Sequence, residues 1–394
     1  MSEAHDIGTH KQLFIDRRFI DSSEGVTLTM NPPVQHPDPV LVGDRPWEEN
    51  GIGAYNTVWR EPDGAFRMWY DATMKGGLVE GARRLAYAES DDGIHWTKPE
   101  LGLISFRGST RNNIVAPRLE RQSMQGATVF RDDRAPDSER YKLWTKYRPT
   151  DDEADAGALP GLWAMRSPDG IHWEPYPDQP NPRNAMCDVQ NMLFWDDRLQ
   201  LYVGYIRVRD TQVVDEAAEA DGIGSYRCVG RITSPDFREW SPLEIVFEAD
   251  AQDLGIPVPS QRDDPRPNID FYTNCAMKYP WAQDVYLMLP SAYYHWGDND
   301  WPATMDIQLM TSRDGVRWDR SGDRKPFLRR GLDGNHTSGI PTGCLYANPW
   351  LIPAGDELWL YYAGLNRLHG GVRVESEDAA TDKQGVGKYS GIFR

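Results

Sequence analysis

Apolar positions along this chain fall in short runs broken by Gly, Pro, Asp and Asn. Most runs alternate apolar with polar or small residues, the period of half-buried strands rather than helices. Residues 11–30 predict strands at Gln12–Asp16, Phe19–Ile20 and Val26–Met30, and residues 31–47 an irregular Pro-rich lead-in. A four-strand pattern then starts and recurs. The first unit has strands Ala54–Trp59, Phe66–Tyr70 and Arg84–Ala88, with a fourth from Trp96. The second has Ala127–Phe130, Tyr141–Tyr147 and Leu162–Met165, then Trp173. The third has Asn191–Trp195, Leu201–Ile206 and Cys228–Ile232, then Trp240; the fourth has Thr273–Lys278, Val285–Leu289 and Ile307–Met310, then Trp318. A fifth opens with Tyr346–Ile352 and Leu358–Tyr362, after which the pattern thins. The polar stretch Asp215–Asp221 predicts a loop insertion in the third unit.

A corner motif sets the register. Ser90-Asp-Asp-Gly-Ile-His-Trp96 returns as Ser167-Pro-Asp-Gly-Ile-His-Trp173, as Ser234-Pro-Asp-Phe-Arg-Glu-Trp240 and as Ser312-Arg-Asp-Gly-Val-Arg-Trp318. Its tryptophans stand 67 to 78 residues apart. Asp-Gly permits a tight reversal, Ser and Asp can bond nearby amides, and the Trp supplies buried area to the next strand. The corners therefore read as structure, and their recurrence predicts a repeat architecture. Five four-stranded antiparallel units make a five-bladed β-propeller, an all-β fold. The predicted organisation is a single domain over residues 1–394: lead-in 1–47, blades about 48–370, and a tail 371–394. The tail either closes the propeller or begins a further β module, and the fifth unit is incomplete or completed by N-terminal strands.

Composition narrows the function. The 15 Trp, 18 Tyr, 35 Gly and 29 Pro suit many strands and turns. A net charge of −17 argues against nucleic acid or an anionic membrane as partner. Cys187, Cys228, Cys275 and Cys344 show no CxxC spacing, so no zinc or redox motif is expected. The polar N-terminus and the lack of a long apolar run predict a cytoplasmic protein, or a secreted one whose signal has been removed. Neither a phosphate loop, a nucleophile elbow nor an HExxH helix occurs.

The Ser-x-Asp-x-x-x-Trp corners, the Phe130-Arg-Asp132 strand end and the Trp/Tyr-rich second strands resemble the five-bladed propeller glycosidases. These comprise sucrose- and fructan-cleaving hydrolases, arabinanases and xylosidases, and mannoside phosphorylases. Leu13-Phe-Ile-Asp16 and Trp96-Thr-Lys-Pro-Glu-Leu-Gly102, with Asn112-Asn-Ile114, look like a separate branch of that superfamily. The resemblance spans about residues 11–370. It implies a carbohydrate substrate and carboxylates meeting at the propeller axis as base or nucleophile, pKa modulator and acid. The chain lacks the Asn-Asp-Pro-Asn of blade one and the Glu-Cys of blade three that carry those roles elsewhere. The corners also resemble sialidase Asp-boxes, but with spacing one residue different and in five units, not six.

The catalytic set is therefore argued from position. Polar residues just before each first strand face the substrate end of the axis. Asp188, Asp270, Glu48 and His336 are the predicted catalytic residues, since glycoside hydrolysis needs one protonated and one ionised carboxyl. Asp188 stands out because it directly precedes a strongly apolar strand. Predicted substrate contacts are Trp47, Gln125, Asn191, Arg207 and Tyr272, with Tyr293, His295 and Trp296 from an aromatic loop, residues 291–296, after the second strand of blade four. Asp16 and Asp132 read better as turn residues. No cofactor is required by any motif; a structural calcium on the axis is compatible with the fold, though no spacing demands it. Three functions remain open: a glycoside hydrolase, a phosphorylase using Arg207, Arg209 and His336 for phosphate, and a non-catalytic carbohydrate-binding propeller. Oligomeric state is not legible.

Overall fold

A computed structural model describes residues 7–9, 11–74, 83–117, 123–147, 152, 155–156, 161–177, 188–209, 226–254, 269–295, 303–331, 339–369 and 391–394. It is a five-bladed β-propeller of small antiparallel sheets. Blade one is β1 (Ile52–Arg60), β2 (Phe66–Thr73), β3 (Arg83–Ser90) and β4 (Ile114–Ala116), and blade two β5 (Thr128–Arg131), β6 (Tyr141–Tyr147), β7 (Gly161–Ser167) and β8 (Glu174–Pro175). Blade three is β9 (Met192–Asp196), β10 (Leu201–Arg209), β11 (Arg227–Ser234) and β12 (Glu244–Phe247).

In blade four each long strand is interrupted midway. The halves are β13 (Ile269–Phe271) and β14 (Ala276–Lys278), then β15 (Tyr286–Met288) and β16 (Ser291–His295), then β17 (Ala303–Ile307) and β18 (Met310–Ser312), with β19 (Asp319–Arg320) outermost. Blade five is β20 (Cys344–Ala354), β21 (Glu357–Leu365) and β22 (Gly391–Phe393), and Leu41 bridges to Ile392 at its edge. The innermost strands touch in the order β1, β5, β9, β14, β20 and back to β1, which closes the ring.

The four corners occupy equivalent places. In each, the Ser Oγ and Asp Oδ1 accept backbone N–H bonds across the turn: Gly170 N to Ser167 Oγ at 2.9 Å, and Ile171 N and His172 N to Asp169 Oδ1 at 2.8 Å. The same pattern recurs at Ser90, Ser234 and Ser312. Each corner also docks on the second strand of the preceding blade. Trp69 Nε1 donates to Gly170 O (2.6 Å), Tyr205 OH to Gly315 O (2.7 Å) and Tyr361 OH to Gly93 O (2.7 Å). Gly170 has φ 75°, and a Cβ there would lie 2.6 Å from the Trp69 ring. In the degenerate copy Phe237 takes φ 65° and stacks on Trp144 instead.

A second inter-blade contact also repeats. Glu61, Asp132 and Asp196, at the far ends of the first strands, accept hydroxyl bonds from Tyr141, Tyr202 and Tyr286 of the next blade. Asp132 also pairs with buried Lys142, so it is a structural latch. At that far end Trp350 packs edge-on against Trp59 and Phe194, filling the axis.

Three expectations need correction. Residues 11–30 form no strand: Phe14, Val26 and Leu28 are exposed, and among the described residues no strand pairs with this segment. Asp16 instead bonds Arg313 at 2.9 Å and pins the lead-in to the corner of blade four. The fourth strand of blade one begins not at Trp96 but at Ile114, because Thr97 makes only an isolated bridge to Glu89. Residues 291–295 are strand β16, not a loop; the second strand resumes beyond Pro290, and Tyr293 and His295 share one face, toward the tyrosine cluster, while Tyr294 packs on the other. Asp215–Asp221 lies outside the described residues.

Candidate active site at the propeller axis

Three kinds of strand end converge at the mouth opposite Trp350. The starts of first strands bring Tyr55, Gln125, Asp188 and Asp270. The ends of second strands bring Asp71, Lys146, Arg207, Arg209, Tyr293 and His295, and the starts of third strands bring Arg83 and Arg227. Antiparallel register explains the pairing. Arg83 stands opposite Thr73, diagonal to Asp71 on the same face. Arg209 stands opposite Arg227, and Arg207 shares its face.

Three aspartates here each hold an arginine. Asp71 pairs with Arg83, Asp188 with Arg207, and Asp270 with Arg227. Their environments differ. The Asp71 side chain is 1% exposed. Burial raises its carboxyl above the ordinary aspartate range, outweighing the opposing charge and hydrogen bond of Arg83. Its seat is tight: a Cβ on Gly53 would lie 2.3 Å from Asp71 Oδ2, and Asn56 Oδ1 accepts the Asp71 N–H at 3.1 Å. The Asp188 side chain is 31% exposed. Burial pushes its carboxyl up, but the charges of Arg207, Lys146, Arg227 and Arg209 hold it below the usual range.

Asp270 is fully buried and accepts from Arg227 Nη1 at 3.0 Å and Arg227 N at 3.1 Å, with His295 Nε2 3.5 Å from Oδ1. Burial raises this carboxyl too, and Arg227 and His295 more than reverse it, leaving it ionised well below the ordinary range.

Tyrosines wall the site. Tyr272 stacks on Tyr293 with centroids 5.6 Å apart, Tyr55 OH donates to Tyr272 OH at 3.4 Å, and Tyr346 packs edge-on against both Tyr55 and Tyr272. Tyr293 OH meets His369 Nδ1 at 3.0 Å. Arg207 and Arg227 lie over the Tyr272 ring and Arg83 over Tyr55, which ties the three ion pairs to one cluster. Among the described residues no group of three or more His, Cys, Asp or Glu is arranged to hold a metal ion.

The structure thus brings together Asp188, Asp270, Gln125, Asn191, Arg207, Tyr272, Tyr293 and His295. Gln125 Nε2 donates to Asp188 O at 2.7 Å, and Asn191 Oδ1 accepts Arg207 N–H at 2.8 Å, so both brace the Asp188–Arg207 pair. Glu48 and Trp47 belong elsewhere. Glu48 accepts from Tyr70 OH, Lys98 Nζ and the amides of Asp44 and Arg45, and Trp47 Nε1 donates to Asn113. Both anchor the lead-in to blade one, in the turn that precedes β1, where Tyr70, Lys98 and Asn113 hold them away from the axial cluster. His336 and Trp296 lie outside the described residues. Asp71, Arg83, Arg227 and His369 are additions. Asp71 had a visible signal, an acid inside Met68-Trp-Tyr-Asp-Ala72, an otherwise apolar strand.

No protein-family model matches the sequence, nor does any curated protein. Solved structures share the fold. An N-acetylgalactosamine deacetylase from F. plautii, in complex with blood group B trisaccharide, superposes with TM-score 0.52 at 15% identity, covering 80% of this chain and 81% of that one. A glycoside hydrolase superposes with TM-score 0.50 at 12% identity over 92% and 90%. A Penicillium chrysogenum α-L-arabinanase complexed with arabinobiose gives 0.44 at 13% identity over 84% and 80%. At these identities the likeness establishes the propeller and leaves the reaction to the site.

Proposed function

We propose that the protein is a glycoside hydrolase whose reaction runs at the axial mouth between Asp71 and Asp188. The observation that carries this is the meeting of two carboxyls, Asp71 sealed beside Arg83 and Asp188 beside Arg207, in one tyrosine-lined cluster, with burial raising the first and surrounding cations lowering the second. Asp71 keeps its proton to higher pH and is the general acid toward the leaving oxygen. Asp188, ionised and partly open to solvent, is the base or nucleophile on the other side of the sugar. Asp270 holds Arg227 and His295 in place. Tyr272 and Tyr293, stacked on each other, form the apolar floor against which the carboxyls and arginines are held, and similarity in fold to carbohydrate-active proteins agrees with a carbohydrate ligand. The arginines keep a second reading, phosphorolysis, in play, since phosphate would need them.

The test is a screen of aryl glycosides and natural glycans, with and without phosphate, against wild type, Asp71→Asn and Asp188→Asn. The expected result is phosphate-independent cleavage that falls roughly 10²- to 10⁴-fold in each variant. Activity seen only with phosphate selects the phosphorylase. Unchanged turnover in both variants defeats the assignment of the site.

A further inference from the structure

A second concave surface lies on the rim of the propeller. Gln252, Trp318, Asp319, Asp323 and Arg324 are among the residues lining a groove of about 420 Å³. Small-molecule sites usually measure roughly 300–1,000 Å³. The groove forms where the chain leaving β12 meets β19, the outermost strand of blade four. β15 and β18 separate β19 from the inner strand β14, three strand spacings or roughly 14 Å of sheet. Ion pairs fix its floor. Arg324 donates to Asp250 Oδ1 and Oδ2 at 2.7 and 2.6 Å, and Arg320 to both oxygens of the sealed Asp253 at 2.7 Å. Asp323 and Arg324 have φ of 54° and 63°, a left-handed backbone that non-glycine residues rarely adopt unless their surroundings impose it. Above this floor polar groups are left over. The Asp319 carboxylate is exposed and makes no ion pair among the described residues. The Asp323 side chain is 93% exposed, with Lys325 Nζ 3.9 Å away. Gln252 is exposed as well. Trp318, half-buried and packed edge-on against Tyr205 at 5.8 Å, supplies an apolar wall.

We propose that this rim groove is a second saccharide-binding site, which takes a neutral oligosaccharide apart from the reaction at the axis. The lining chemistry selects that class. Every sugar hydroxyl both donates and accepts. Asp319 and Asp323 offer carboxylate acceptors, and the Gln252 amide offers a donor and an acceptor. Sugar CH groups need an apolar surface, which Trp318 provides. An anion would face two exposed carboxylates, with both arginines already paired to aspartates. A cation would sit beside those two guanidiniums. The proposal takes from the reading above only that the protein handles carbohydrate; it does not depend on the axial carboxyls.

Binding is measured by calorimetry on the full chain carrying Asp71→Asn and Asp188→Asn, which suppresses turnover during titration. Neutral arabino-, xylo-, galacto- and gluco-oligosaccharides are the probes. Spermidine and galacturonate oligosaccharides form the cation and anion arms. The expected result is that one neutral series binds, and that Asp319→Ala and Gln252→Ala each weaken it roughly 5- to 50-fold, the weight of the hydrogen bonds removed. Both side chains are exposed, so urea unfolding should show an intact fold. In an otherwise wild-type chain the same two substitutions should leave kcat/KM on a cleaved aryl glycoside unchanged. Absence of binding by every neutral series overturns the proposal. So does binding indifferent to both substitutions, which would put the ligand elsewhere. Spermidine or uronate affinity that falls in the variants, with neutral affinity unmoved, gives the groove to a charged ligand and overturns it too. Substitution-sensitive binding without hydrolysis by the wild-type chain would leave the rim site standing and sink the hydrolase. Hydrolysis with binding unmoved by Asp319→Ala and Gln252→Ala would do the reverse.

Discussion

Asp71, Asp188 and Asp270 share one side chain and one type of partner, yet differ in proton affinity. The difference comes chiefly from how many cations face each carboxyl. Burial raises both; Asp71 meets one arginine, so burial wins, whereas Asp188 faces four cations, so charge wins. This sets the pH profile of kcat/KM. Its alkaline limb should lie above the ordinary aspartate range, where Asp71 loses its proton, and its acid limb below that range, where Asp188 gains one. Rates measured from pH 2 to 8 on a cleaved glycan check this, and an alkaline limb that persists in the residual activity of Asp71→Asn would remove Asp71 from the role.

Asp270 makes a stability prediction. Its folded carboxyl titrates below the unfolded value of about 3.8, so its contribution is fully present above that pH and is lost as pH falls through the folded value. Asp270→Asn removes the carboxylate that both Arg227 and His295 face and should cost about 1–3 kcal/mol at pH 7. Denaturation of both proteins at pH 7 and near pH 2 should show the gap narrowing in acid. A gap that widens there would refute the pairing.

At the scale of elements, the corner is a device for joining blades. Its Ser and Asp close the turn, its glycine admits an aromatic of the preceding blade, and its carbonyl takes that ring's N–H or O–H. Gly170→Ala sets a Cβ against Trp69 in a left-handed backbone, and about 1–3 kcal/mol of overpacking adds to about 1 kcal/mol of backbone strain. Gly102 has a similar φ of 73° with nothing within 4 Å of a new Cβ, so Gly102→Ala should cost only the second amount. Equal urea midpoints for the two variants would mean that the corner does not dock as described. These corners were legible because their chemistry is local: every group that closes the turn lies within seven residues. The strands at 12–30 were misread for the opposite reason. A strand needs a partner, and whether one is nearby is not written in the segment.

For the whole molecule, the fifth blade is completed from both ends of the chain. β22 adds to β21, and Val40 N and Leu41 N bond Ile392 O at 2.7 and 3.4 Å. Phe393 is fully buried and stacks on Tyr362 at 5.4 Å. Phe393→Ala should therefore cost about 3–5 kcal/mol, as for a central core aromatic. A loss in denaturation experiments of under about 1 kcal/mol would show that the ring does not depend on this closure.

The repeat of turns, corners and alternating strands already dictated the blade number, since periodicity and turn chemistry act over a few residues. It also placed Asp188 and Asp270 at strand starts facing the axis, where an acid beside an apolar run needs a reason. Closure of the ring decided the rest. Asp71 becomes part of the site only because β2 ends beside the start of β1, and Glu48 leaves it because Lys98 and Tyr70, far along the chain, claim both its oxygens. Proton affinity is a sum over groups from several blades, and that sum exists only once the blades surround a common axis.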